Sequence, residues 1–193
     1  MSHVKSLRNL HRRSFILIPI ARYRIPIDEN LTLVECLAQN YADCDYVGLS
    51  MVRSAEAIWH GGLKEGGGVV SSASKALTTS PYSFRTRFED EKGAGPEELI
   101  AAAHASCYSM ALSMILGDAG ITAETIHTFA HITTDWISEA PKLTHIHLAT
   151  KIEARGADRE KVEAAAHQAV DGCPISRLLK PSAEITLEVI VCV

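Results

Sequence analysis

The sequence predicts an α+β domain, on three observations. Several stretches alternate apolar and polar residues with the period of two that a half-buried strand requires. One long segment is almost free of charge on every side, as a helix covered all round must be. The elements also come in blocks: three strands, a helix, two strands, two helices and a strand, rather than strict β-α alternation. The 193 residues are 47% hydrophobic, enough for a sizeable core.

The first fifty residues read differently from the rest. Residues 1–27 hold six Lys or Arg and no Asp or Glu. The short apolar patch "FILIPIA" lacks the length of a signal peptide core, and the segment loosely resembles an Arg-rich transit peptide. "IDENLTLVECLAQNYADCDYVGLS" follows with weak periodicity and carries Cys36 and Cys44, for which no role is expected. From Met51 onward the chain reads as a complete domain with 13 basic and 18 acidic residues, a net charge of −5. Residues 1–50 are therefore expected to be a poorly ordered, dispensable N-terminal extension or an over-long start, and residues 51–193 the functional domain.

Within that domain "AEAIWHGGLKEGGGVVSSASK" predicts two short strands broken by glycines. "PYSFRTRFE" alternates, with Tyr82, Phe84, Thr86 and Phe88 on one side and Arg85 and Arg87 together on the other, which predicts a third strand. "GPEELIAAAHASCYSMALSMILGDAG" is the clearest helix. Pro96 suits its first position, Glu97 and Glu98 suit the positive end of its dipole, and Gly117 and Gly120 suit its stop. Cys107 lies in the middle and by itself reads as core.

"TIHTFAHITTDWI" and "KLTHIHLATKIEA" predict a hairpin about "SEAP". His127 and His131 share one strand face, and His145 and His147 share another. H-x-H on a strand can bind metal, but a solvated sheet face is the plainer account. Asp158 can cap the helix "REKVEAAAHQAVD", whose Val162, Ala165, Ala166, Ala169 and Val170 recur at helical spacing. Gly172 is expected to stop it in a left-handed conformation. Pro174 opens a further short helix, so Cys173 falls at an N-cap, among unpaired N–H groups that favour thiolate. "EITLEVIVCV" is a last strand, and Cys192 in it reads as structural.

Composition narrows the function classes. A net charge of −4 argues against a nucleic-acid partner. No apolar run of about 18 residues is evident, so no membrane span is expected. Five cysteines at irregular spacings, without C-x-x-C, fit neither a secreted disulfide framework nor a zinc knuckle. They fit a reducing, cytoplasmic setting, where a disulfide would be transient.

Three segments in order, "PYSFRTRFE", "GPEELIAAAHASCYSMALS" and "GCPISRLLK", resemble the OsmC/Ohr family of osmotically induced and organic-hydroperoxide-resistance proteins, nearer its OsmC branch. The resemblance covers roughly the last 140 residues. It implies a thiol peroxidase that reduces organic hydroperoxides without metal, flavin or haem. Cys107 matches the peroxidatic cysteine, Cys173 the resolving one, Arg87 the activating arginine and Glu97 the glutamate that holds it. It implies an intertwined homodimer, with antiparallel sheets around two central helices, and a dithiol reductant; lipoylated proteins serve the Ohr branch.

Two tensions accompany these assignments. Helix-end geometry favours Cys173 as the reactive thiol, whereas Cys107 is about three turns inside a helix and needs a cation to ionise. Glu97 lies ten residues before Cys107, about 15 Å along a straight helix. Either the helix begins later or a second subunit completes the site. Two rival readings differ in class: a zinc hydrolase using His104, Cys107, Cys173 and a strand histidine, and a non-enzymatic stress or ligand-binding dimer.

Overall fold

The computed structural model describes residues 51–89 and 91–193. The expectations for residues 1–50, Cys36 and Cys44 included, lie outside the described residues. The elements run β1 Ala55–His60, β2 Gly67–Ser72, β3 Ser80–Ser83, α1 Phe84–Phe88, α2 Pro96–Asp118, β4 Thr125–Ile137, β5 Ala140–Glu153, α3 Arg159–Gly172, α4 Pro174–Leu179 and β6 Glu184–Cys192. The fold is α+β, as expected.

β1, β2 and β3 form one antiparallel sheet, and β4, β5 and β6 a second. Ile137 pairs with Ala140 across the β4–β5 hairpin, leaving Ser138 and Glu139 as the loop, both at positive φ. That geometry matches the twist of the strands it joins. β6 pairs with β5 in parallel, which corrects the wholly antiparallel expectation. α3 and α4 separate the two strands in sequence, and such a crossover is what a parallel pairing needs.

The core lies between α2, α3 and the inner face of the second sheet. Tyr108, Leu112, Leu116, Leu148, Ile152, Val162, Ala166 and Ala169 are fully buried there. The alanines of α3 allow close approach, and Tyr108 Oη donates to the Ala166 carbonyl at 3.0 Å. Asp158 caps α3 as expected, its Oδ1 accepting from Glu160 N–H at 3.0 Å.

α2 buries one stripe only: His104, Tyr108, Ala111, Leu112 and Leu116. The opposite stripe of Ala102, Ala103, Ser106, Met110, Ser113 and Met114 is exposed, Met110 at 74% and Met114 at 61%. By length and composition α2 could cross a membrane, with mean hydropathy 1.6 over 18 residues, which corrects the expectation that no such run exists. Its buried stripe packs against α3 and β4.

Two local expectations are also corrected. "PYSFRTRFE" is a strand only as far as Ser83 and then turns into α1. Ser83 Oγ accepts from Thr86 N–H at 3.1 Å while Ser83 N–H donates to Thr86 Oγ1 at 2.9 Å. This reciprocal cap starts a helix where the alternation predicts strand. Gly172 stays helical as the last residue of α3, and its φ is not positive. Cys173 breaks the helix instead, at φ −72° and ψ 119°. The residue before a proline is pushed out of the helical region by the proline ring.

Candidate active site

α1 changes which arginine can do what. Positions two apart on a helix point about 200° apart, so Arg85 and Arg87 do not share a face. Arg85 turns outward to Glu89 and Glu91, at 3.5 and 3.1 Å. Arg87 turns to the start of α2 and grips Glu97, Nη2 to Oε1 at 2.6 Å and Nε to Oε1 and Oε2 at 3.0 and 3.2 Å. The guanidinium also lies over the Phe88 ring, 4.9 Å from its centroid. The loop between α1 and α2 permits this because Gly93 lies against Pro81; a Cβ there would come within 2.7 Å of the Pro81 carbonyl oxygen and 2.5 Å of Thr86 Cγ2.

The two cysteines lie on neighbouring helices. α4 runs beside α2, Cys107 packs against the buried cluster that contains Cys173, and the two thiols are near enough for Cys173 to raise the Cys107 pKa. Cys173 is fully buried, and Cys107 is partly accessible. Cys173 Sγ caps α4, with Ser176 N–H donating to it at 3.5 Å, as the helix-end reading predicts.

Burial pushes the Cys107 thiol above its ordinary range. A backbone hydrogen bond from Ile175 opposes that, and the neighbouring Cys173 reinforces it. Among the described residues no cation acts on Cys107. Its own chain's Arg87 is held by Glu97 at the head of α2, which begins at Pro96 and so rules out a late helix start. The structure thus brings together Cys107 with Cys173, and Arg87 with Glu97, but does not join the two pairs within one chain.

His104 is the group whose place sequence reasoning missed. It enters there only as a zinc ligand. It is fully buried, and its Nε2 lies 2.7 Å from Ser176 Oγ. Among the described residues no three His, Cys, Asp or Glu side chains are placed to share a metal ion, so the zinc reading lacks its ligand set. Each histidine pair shares a face of its own strand, as expected. His131 pairs with His147 and Thr133 with His145, so both histidine pairs lie on one outer sheet face. Thr186 Oγ1 bridges His147 Nδ1 at 2.9 Å and His145 Nε2 at 3.1 Å.

Residues 89–188 match the sequence profile of the OsmC-like protein family. The chain belongs to the OsmC family. It is 44% identical over 140 residues to peroxiredoxin OsmC of Escherichia coli, spanning 72% of this chain and 96% of that one. Organic hydroperoxide resistance protein OhrA of Bacillus subtilis is 28% identical over 100 residues, 51% of this chain and 69% of its own. Among solved structures, an organic hydroperoxide resistance protein from Elizabethkingia anophelis superposes with a TM-score of 0.59 at 22% identity, covering 75% of this chain and all of that one. An OsmC from Legionella pneumophila gives 0.57 at 22% identity over 73% and 99%. These structures share the fold, and the named sequence relatives place this OsmC-branch family with peroxidase-type chemistry.

Proposed function

We propose that this chain reduces organic hydroperoxides to alcohols through Cys107 and Cys173. The contact between those two thiols carries the reading, since neither a binding dimer nor a structural core needs two cysteines from separate helices side by side. The Cys107 thiolate attacks the distal oxygen of the hydroperoxide. The O–O bond breaks, the alkoxide leaves and takes up a proton as alcohol, and Cys107 becomes a sulfenic acid. Cys173 condenses with it, forming a disulfide and releasing water. A dithiol reductant, a lipoylated protein among the candidates, then restores both thiols. The apolar surroundings of Cys107 reward burial of an alkyl tail, which favours alkyl hydroperoxides over hydrogen peroxide.

The acting form is a homodimer in which Arg87, held by Glu97, reaches the partner's Cys107. Three observations favour this. Among the described residues no cation acts on Cys107, and α2 presents an uncharged stripe of small residues and methionines to its surroundings. None of the described residues from Met51 to Ala94 is buried, so the first sheet lacks a covering layer of its own. Separately, five cysteines at irregular spacings fit a reducing compartment such as the cytoplasm.

The test is a thiol titration before and after one equivalent of cumene hydroperoxide. Two thiols per chain should disappear, and peptide mapping should find Cys107 linked to Cys173. Full peroxidase activity in Cys107→Ser, or linkage through Cys192, would defeat the assignment.

A further inference from the structure

His104 is a buried titratable group that the mechanism above leaves unused. His104 is fully buried in α2, one turn before Cys107, and Ser176 is fully buried in α4, one turn after Cys173. Cys107 meets Cys173, and His104 meets Ser176. The numbers rise along α2 as they fall along α4, so the helices run in opposite directions with two polar contacts one turn apart. One contact between two helices leaves each free to roll. Two fix both separation and rotation.

The hydrogen-bond pattern around the imidazole sets its state. Nδ1 is buried without a partner among the described residues. A hydrogen on Nδ1 would be a buried donor with nothing to accept it, so the hydrogen belongs on Nε2 and is donated to Ser176 Oγ. Burial also lowers the His104 pKa, which keeps the ring neutral. Ser176 in turn donates its backbone N–H to Cys173 Sγ. The chain of contact runs from α2 through His104 and Ser176 to the sulfur of Cys173.

We propose that the His104–Ser176 hydrogen bond is a clasp that positions Cys173 for attack on oxidised Cys107. The inference rests on the two-cysteine reading and extends it to the resolving step. In that step Cys173 sulfur bonds to Cys107 sulfur and the S–O bond of the sulfenic acid breaks. The hydroxyl leaves as water with the Cys173 thiol proton. The attack must come in line with the breaking S–O bond, and the clasp fixes that line. Neither His104 nor Ser176 touches the peroxide, so both are positioning residues.

The test separates the two chemical steps in Ser176→Ala, His104→Leu and His104→Gln. Glutamine can put an amide N–H near the position of Nε2, and so serves as the rescue. With cumene hydroperoxide in single turnover, peroxide consumption should stay within about twofold of wild type in all three. Disulfide formation should slow by up to about 100-fold in Ser176→Ala and His104→Leu, the scale of a misplaced reacting group. Cys107 sulfenic acid should then accumulate as a dimedone adduct, and His104→Gln should recover most of the rate. Disulfide formation at the wild-type rate in Ser176→Ala overturns the clasp. Equal slowing of both steps, or no recovery in His104→Gln, overturns it too, by reducing the pair to a structural contact. If wild-type protein yields neither adduct nor disulfide at Cys107, the two-cysteine reading itself fails and takes the clasp with it.

Discussion

Arg87 and Arg85 differ by what they face. The alternating pattern puts them together on a strand, whereas α1 separates them, giving Arg85 to the exposed carboxylates of Glu89 and Glu91 and Arg87 to Glu97. The planar guanidinium uses its Nε and Nη2 edge for Glu97, which on the proposed mechanism leaves its other edge for a sulfur. Arg87→Ala should therefore cost about 100-fold or more in peroxidase rate, on the scale of losing one electrostatic stabiliser. Arg85→Ala should cost far less. The pH profile gives a second readout. On the proposed mechanism the Cys107 thiolate is the reactive form, so the rate should climb as pH rises through the Cys107 pKa, which burial raises. Loss of Arg87 should move the climb to more alkaline pH, and stopped-flow oxidation across pH would record it. A larger loss in Arg85→Ala would reverse the assignment.

At the level of elements, α3 and the β4–β5 hairpin were legible because each repeats one period over ten or more residues, and α2 because a long uncharged run is bounded by clear start and stop signals. α1 was not. Phe84 and Phe88 satisfy a period of two and also the four-residue spacing of a helix, where their rings stand 4.8 Å apart. The Ser83–Thr86 cap decides between them, and its S-x-x-T spacing was the signal to read. The parallel β6 was illegible for another reason: the direction of a strand after a two-helix crossover depends on packing rather than local pattern. Of the site, both cysteines and the Arg87–Glu97 pair could be named from motifs, while the His104–Ser176 contact joins residues 72 positions apart and left no local trace. Tyr108 is similar, tying α2 to α3 through the Ala166 carbonyl. Burial pushes its hydroxyl pKa up, so it remains a donor. Tyr108→Phe should lower stability by about 1 kcal/mol, the net worth of one such bond. In urea the midpoint should fall with the slope unchanged. An unchanged midpoint would show that the bond contributes nothing.

Across the whole molecule the unexplained surface and the unexplained chemistry point the same way. The layer from β1 to α1 carries Arg87 and has no buried residue, and α2 leaves Met110 and Met114 uncovered on a face without charge. An uncharged helical stripe of small residues lets a second copy of the helix come close. The same chain holds Arg87 at the head of α2, about 15 Å by helical rise from Cys107, a distance one side chain cannot close while gripping Glu97. A partner running in the opposite sense can bring its own Arg87 to the middle of α2. Mixed dimers test this directly. Arg87→Ala and Cys107→Ser homodimers should each be inactive as peroxidases. Unfolded together and refolded as a mixture, they should regain activity if the site is shared. In the mixed dimer the Arg87→Ala chain supplies Cys107 and the Cys107→Ser chain supplies Arg87, so one of its two sites is whole. With random pairing half the dimers are mixed, and activity should approach about one quarter of wild type, since interchangeable subunits pair as a closed two-fold dimer. If each chain used its own arginine, every site in the mixture would lack one group or the other, and refolding would restore nothing.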